Sequence, residues 1–137
     1  MNRIDLQRLA GTRIREAKTL FKAGEYSGAY YLAGYAIECA LKACIAKETL
    51  KHDFPDKDRA NRSYVHNPSE LIKVAELYRE LQIDGATNPA LDANWNIVIK
   101  WSERSRYEIW TRSDAKALID AVSGKGNGVL PWIKRRW

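Results

Sequence analysis

Tyr31, Tyr35, Glu38 and Lys42 follow one another at intervals of four, three and four residues, a spacing that on a helix draws one continuous polar stripe. The positions around them, Ala29, Leu32, Ala33, Ala36, Ile37, Ala40, Leu41 and Ile45, are apolar, so the stripe runs along an otherwise greasy rod. A carboxylate and an ammonium on a rigid helix can position a phosphate, a ribose or a water. The same spacing also describes an i,i+4 ion pair between Glu38 and Lys42 at the edge of a core, with the tyrosines packing beside it. Periodicity names the face and not its neighbour, and both readings stand.

A second candidate is the segment Lys100 to Glu108, where Trp101, Arg104, Arg106 and Tyr107 combine guanidinium groups with aromatic rings. That combination suits phosphate contact with base stacking, and it suits structural anchoring or a protein interface equally well. Histidine is confined to His52 and His66; His66 precedes Asn67 at a predicted helix start, a place that favours capping or packing over catalysis. No glycine-rich phosphate loop follows a strand, and no serine or cysteine nucleophile has a recognisable neighbourhood. No catalytic set, metal site or cofactor is therefore expected from motifs alone. Cys39 and Cys44 lie five apart on one predicted helix, point in different directions and cannot bridge; they read as packing residues.

The elements that must position these residues are helical. Asn2 to Phe21 is amphipathic through Leu6, Leu9, Ala10, Ala17, Leu20 and Phe21, and Gly24 ends it. A second helix from about Glu25 to Glu48 is the expected hub. Its Gly28 and Gly34 each cost about 1 kcal/mol of helix propensity, which implies a neighbour packed closely on that side. His52 to Val65 carries Pro55 and a run of charges and reads as an exposed loop. Asn67, Pro68 and Glu70 form a start signal for a third helix from Pro68 to Gln82. Asp84-Gly85 reads as a turn, Asn88-Pro89 as a cap for a helix bearing Leu91, Trp95 and Val98, and Ser113 as the cap of a last helix ending at Gly124. Residues 125–137 read as a flexible link and a short basic and aromatic tail, with Trp132, Lys134, Arg135, Arg136 and Trp137. Short connections between these segments imply antiparallel neighbours in an all-α, up-and-down bundle of four to five helices.

A chain of 137 residues with 45% hydrophobic content is one domain's worth of core. The first residues are charged throughout and the apolar run Ala29 to Ala46 is interrupted by Glu38 and Lys42, so a cytoplasmic protein without a membrane span is expected. The formal charge of +6 attracts polyanions, but 17 acidic residues are interspersed with 23 basic ones, so charge alone does not specify a nucleic-acid partner.

The run Glu25-Tyr26-Ser27-Gly28-Ala29-Tyr30-Tyr31-Leu32-Ala33-Gly34-Tyr35-Ala36-Ile37-Glu38-Cys39-Ala40-Leu41-Lys42-Ala43 closely resembles the central helix of HEPN domains, small helical proteins named for nucleotide binding in higher eukaryotes and prokaryotes. Tyr64-Val65-His66-Asn67-Pro68-Ser69-Glu70-Leu71 resembles the family's next landmark, with Asn67 in place of an Asp, and Arg106-Tyr107 resembles a late Arg-Tyr pair, with Glu108 where a Pro usually follows. The resemblance covers residues 5 to 123 and makes residues 1–124 a HEPN-like bundle. It implies a homodimer, often encoded beside or fused to a minimal nucleotidyltransferase in bacterial toxin and antitoxin pairs.

Some HEPN branches are metal-independent ribonucleases marked by Arg, four to six residues, then His in a late helix. Here the late segment has no histidine, and Arg59 and His66 match the bare spacing ahead of the third helix instead. In a nuclease, Arg59 would hold the scissile phosphate and His66 would act as general base or acid. The leading expectation is a non-catalytic module that binds nucleotide or RNA, or a nucleotidyltransferase partner, through Tyr31, Tyr35, Glu38, Lys42, Trp101, Arg104, Arg106 and Tyr107. The alternatives are a toxin ribonuclease and a structural oligomerisation subunit without ligand.

Overall fold

A computed structural model of the chain describes residues 1–49 and 57–137 in full, together with the backbone of residues 50 and 51. His52 and the first part of the expected loop lie outside the described residues. The structure is all-helical, as expected: α1 (Arg3–Lys22), α2 (Tyr26–Lys51), α3 (Lys57–Arg62), α4 (Pro68–Val74), α5 (Tyr78–Thr87), α6 (Pro89–Val98), a 3₁₀ turn (Glu103–Tyr107), α7 (Arg112–Ser123) and α8 (Val129–Lys134). Among the described residues no helix is long and apolar enough to cross a membrane.

The first hairpin follows from local chemistry. Asn2 and Asp5 exchange side-chain and backbone hydrogen bonds in a capping box, each 3.0 Å, and so satisfy donors that the start of α1 leaves open. At the other end Glu25 N–H reaches back to Leu20 O at 2.9 Å and Gly24 takes φ +82°, a left-handed conformation that only glycine enters without cost. The chain reverses there and α1 packs along α2.

α2 is the hub, in contact with α1, α4, α7, α8 and the 3₁₀ turn. Ala33, Ala36, Ile37, Ala40, Leu41 and Ala43 have no solvent exposure at all, and burial of each large aliphatic side chain contributes about 1.5–3 kcal/mol. Gly34 has the close neighbour that its propensity cost implied, an indole rather than a helix: a Cβ there would run into the Trp101 ring.

The structure corrects the sequence reading in several places. The third helix is divided into α4 and α5 at Glu76, which takes φ +61° while Leu77 N–H bonds to Ile72 O and Glu76 N–H to Lys73 O, a closed helix end. The apolar spacing of Leu71, Val74, Tyr78 and Leu81 runs across this break and conceals it. The expected turn at Asp84-Gly85 lies inside α5, where Gly85 lets the Asp92 side chain of α6 approach. The cap of the last long helix is Thr111, two residues before Ser113, because Thr111 and Asp114 make a reciprocal cap. Part of the expected exposed loop is helical, as α3.

Residues 125–137, read as link and tail, include α8, whose Val129, Leu130, Trp132 and Ile133 are buried in the same core as α2 and α7. Cys39 and Cys44 are buried and free, as expected of packing residues.

Candidate functional site

Two tryptophans set the frame of the site. Trp101, 1% exposed, fills the notch at Gly34 and donates its indole N–H to Tyr31 O at 3.1 Å. Trp110 stacks on Tyr30 with ring centroids 3.8 Å apart, donates its indole N–H to Ser105 O, and receives a second tie from its own backbone N–H to Ser27 Oγ at 2.9 Å. Both anchors rest on α2. Between them the 3₁₀ turn is capped by Ser102 and holds Ser105 buried, while Arg104, Arg106, Tyr107 and Ile109 project into solvent. The exposed arginines and tyrosine thus sit on backbone fixed at both ends, which lowers the entropy lost when a ligand binds them.

The helix-two stripe divides along its length. Tyr31 and Tyr35 are half-buried, their rings 6.0 Å apart, and Tyr31 lies 6.0 Å from the Trp101 ring. Arg13 of α1 stands over Tyr35 at 5.9 Å. Burial, followed by the nearby Cys39 and Glu38, pushes the Tyr35 phenol above its ordinary pKa, so it remains a neutral hydrogen-bonding group. Glu38 is only 3% exposed, and its Oε1 accepts both from Lys42 Nζ at 2.9 Å and from His66 Nδ1 at 2.9 Å. The expected i,i+4 ion pair between Glu38 and Lys42 is therefore present, with a histidine added that the stripe did not foretell. Glu38 Oε2 is buried with no hydrogen-bond partner among the described residues.

His66 lies in the irregular stretch before α4, where Asn67 caps by accepting from Ser69 N–H at 2.9 Å. Its ring is held edge-on between two carboxylates, with Nδ1 on buried Glu38 and Nε2 3.2 Å from Oε2 of Glu103, the first residue of the 3₁₀ turn. An imidazolium donates to both; a neutral ring donates to one. The site thus joins α2, the α4 entrance and the 3₁₀ turn, three pieces separated by up to 65 positions in the chain. Glu103 and Trp110 were not singled out from the sequence; the signal available was a pair of tryptophans flanking a short Arg- and Ser-rich run.

The remaining expected residues are placed as follows. Trp101 has the surroundings of an anchor, with ring and N–H both engaged inside the fold. Arg106 is exposed, its guanidinium 4.9 Å from the Tyr107 ring, and Tyr107 first, then Tyr31, raise its pKa, so it stays a fixed cation. Arg104 makes no ion pair among the described residues and is exposed. Arg59 pairs with Glu76 at 3.1 Å, whereas His66 pairs with Glu38 and Glu103, so the two residues that match the nuclease spacing are held by different partners. Burial pushes the Cys39 and Cys44 thiols up to about 11, which removes them as nucleophiles at neutral pH.

A model of the HEPN domain family matches residues 5–124. The chain belongs to the HEPN domain family. In this HEPN domain the family match begins within α1 and ends at the close of α7, and so contains α2, His66 and the 3₁₀ turn. Comparison with curated proteins and with solved structures returns no match.

Proposed function

We propose that this HEPN domain is a non-catalytic binding module for a nucleotide or RNA, working as a homodimer and meeting a nucleotidyltransferase partner in a bacterial toxin and antitoxin pair. The observation that carries the binding reading is the doubly anchored 3₁₀ turn, which presents exposed Arg104, Arg106 and Tyr107 beside His66. Guanidinium groups take phosphate oxygens with two parallel hydrogen bonds, and Tyr107 offers a face for a base. Glu38, paired with Lys42, serves this site from behind by holding His66, and Tyr35 stands one turn away on the same stripe.

A second reading, metal-independent RNA cleavage, is favoured by one specific feature: a buried carboxylate orients His66 through Nδ1 and leaves Nε2 on the outer side, the arrangement of a general acid or base. Arg59 would then have to leave Glu76 to reach a phosphate. One experiment separates the two. Labelled single-stranded RNA is incubated with the protein in EDTA, and binding and cleavage are read on gels at several salt concentrations, beside Arg106→Ala and His66→Ala. Intact RNA with a salt-sensitive shift, weakened in Arg106→Ala by about tenfold and with a salt slope smaller by about one, supports the binding module. Cleavage that disappears in His66→Ala establishes the second reading, and absence of both shift and cleavage overturns the nucleic-acid assignment.

A further inference from the structure

Glu103 is the one acid on a turn otherwise built to present cations, and its carboxylate lies on the outward nitrogen of His66. The two contacts of that ring are unlike. On the inner side Nδ1 hydrogen-bonds at 2.9 Å to a carboxylate that is 3% exposed and shared with Lys42. On the outer side Nε2 and Glu103 Oε2 stand at 3.2 Å with both side chains open to water, 43% and 44% exposed. An ion pair in that setting is weak and readily exchanged. A carboxylate oxygen and a phosphate oxygen are equivalent acceptors for an imidazolium N–H. The turn itself is fixed by Trp101, Ser105 and Trp110, so exchange needs only a rotation of the Glu103 side chain and no backbone movement.

We infer that Glu103 occupies the phosphate subsite of this face: its carboxylate stands on His66 Nε2 where a ligand phosphate oxygen goes, and the ligand binds by displacing it. The inference rests on the binding module proposed above and names how that site is gated. Phosphate arriving at Arg104 and Arg106 repels Glu103, releases Nε2 and takes it as a third contact. A weak polyanion that cannot displace the carboxylate is rejected, so Glu103 sets a threshold for binding.

The test measures affinity by fluorescence anisotropy at fixed salt with two probes, an oligoribonucleotide with a 5′-hydroxyl, which offers only phosphodiesters, and a labelled adenosine diphosphate, which offers terminal phosphates. Glu103→Gln is expected to tighten the bound probe about fivefold, the worth of an exposed ion pair no longer competed for, while Glu108→Gln, an exposed acid on the same segment, changes it less than about twofold. The gain is expected to vanish in a His66→Gln background. Equal effects of Glu103→Gln and Glu108→Gln, or a gain that persists in His66→Gln, overturn the exchange, since both describe general repulsion.

Should His66→Gln not fold, the imidazole Nε2 nitrogen resonance decides: it moves on binding in the wild type and much less in Glu103→Gln, and an unmoved wild-type resonance overturns the inference. Arg106→Ala that loses binding beside an unaltered Glu103→Gln leaves the module standing and sinks only the gate; no binding by wild type or Glu103→Gln sinks both. The probe that responds identifies whether diesters or terminal phosphates are the ligand.

Discussion

Arg136 and His66 each stand between two acids, and their surroundings differ. Arg136 lies flat on Trp132 at 3.7 Å, reaches Glu80 and Asp84 at 3.0 Å each and donates to Trp132 O, while Trp132 Nε1–H donates to the same Asp84 carboxylate. Its side chain is 18% exposed, and the cluster fastens α8 to α5. His66 has its inner nitrogen equally well bound, but its outer nitrogen faces an exposed acid, next to arginines that project into water. The Arg136 cluster is largely enclosed and ties two helices together, although Arg136 Nε finds no hydrogen-bond partner among the described residues, whereas the His66 cluster opens to water on its outer side. The contrast is one of exposure, not of residue type.

The comparison predicts stability losses on the closed side and binding losses on the open side. Trp101→Ala is expected to cost about 3–5 kcal/mol in urea unfolding, since it empties the notch at Gly34 and removes the indole hydrogen bond to the Tyr31 carbonyl. A small loss with strongly reduced RNA binding would instead make Trp101 a ligand contact. Arg136→Ala is expected to lose about 2–3 kcal/mol, as two carboxylates lose their shared guanidinium, with RNA affinity unchanged.

The buried thiols sharpen the closed side through pH. Because Cys39 and Cys44 are raised to about 11 in the fold, the unfolded chain loses these protons first as pH rises. Their contribution to stability is therefore whole below the ordinary thiol value near 9 and is lost between there and about 11. Each is worth on the order of 2 kcal/mol, and Cys39→Ala with Cys44→Ala should flatten the decline seen in urea midpoints over that range. Arg106→Ala completes the series: stability stays at the wild-type level while RNA binding falls. A large stability change there would mean that the open region is riveted after all.

Much of the architecture is legible in the residues. Asn2, Gly24 and Asn88-Pro89 mark helix ends that the structure reproduces, because caps depend on a few adjacent groups. The break at Glu76 is not legible, since a non-glycine residue took the left-handed position while the apolar spacing continued unbroken. The same limit applies to the site. The stripe on α2 was readable as a line, and Glu38 with Lys42 as its pair, but His66 joins that pair from 28 positions away and Glu103 joins His66 from further along.

By itself the sequence determined the all-helical class, the central helix, the family and which polar and aromatic side chains stand together along the chain, because these rest on local spacing and side-chain chemistry. Only the tertiary structure decided which of those residues are spent. Glu38 is turned inward to hold a histidine, and Trp101 is consumed as an anchor. Arg104, Arg106 and Tyr107 are left outside. Burial and long-range pairing depend on which surfaces meet, and α2 meets the 3₁₀ turn through a glycine notch that no periodicity encodes.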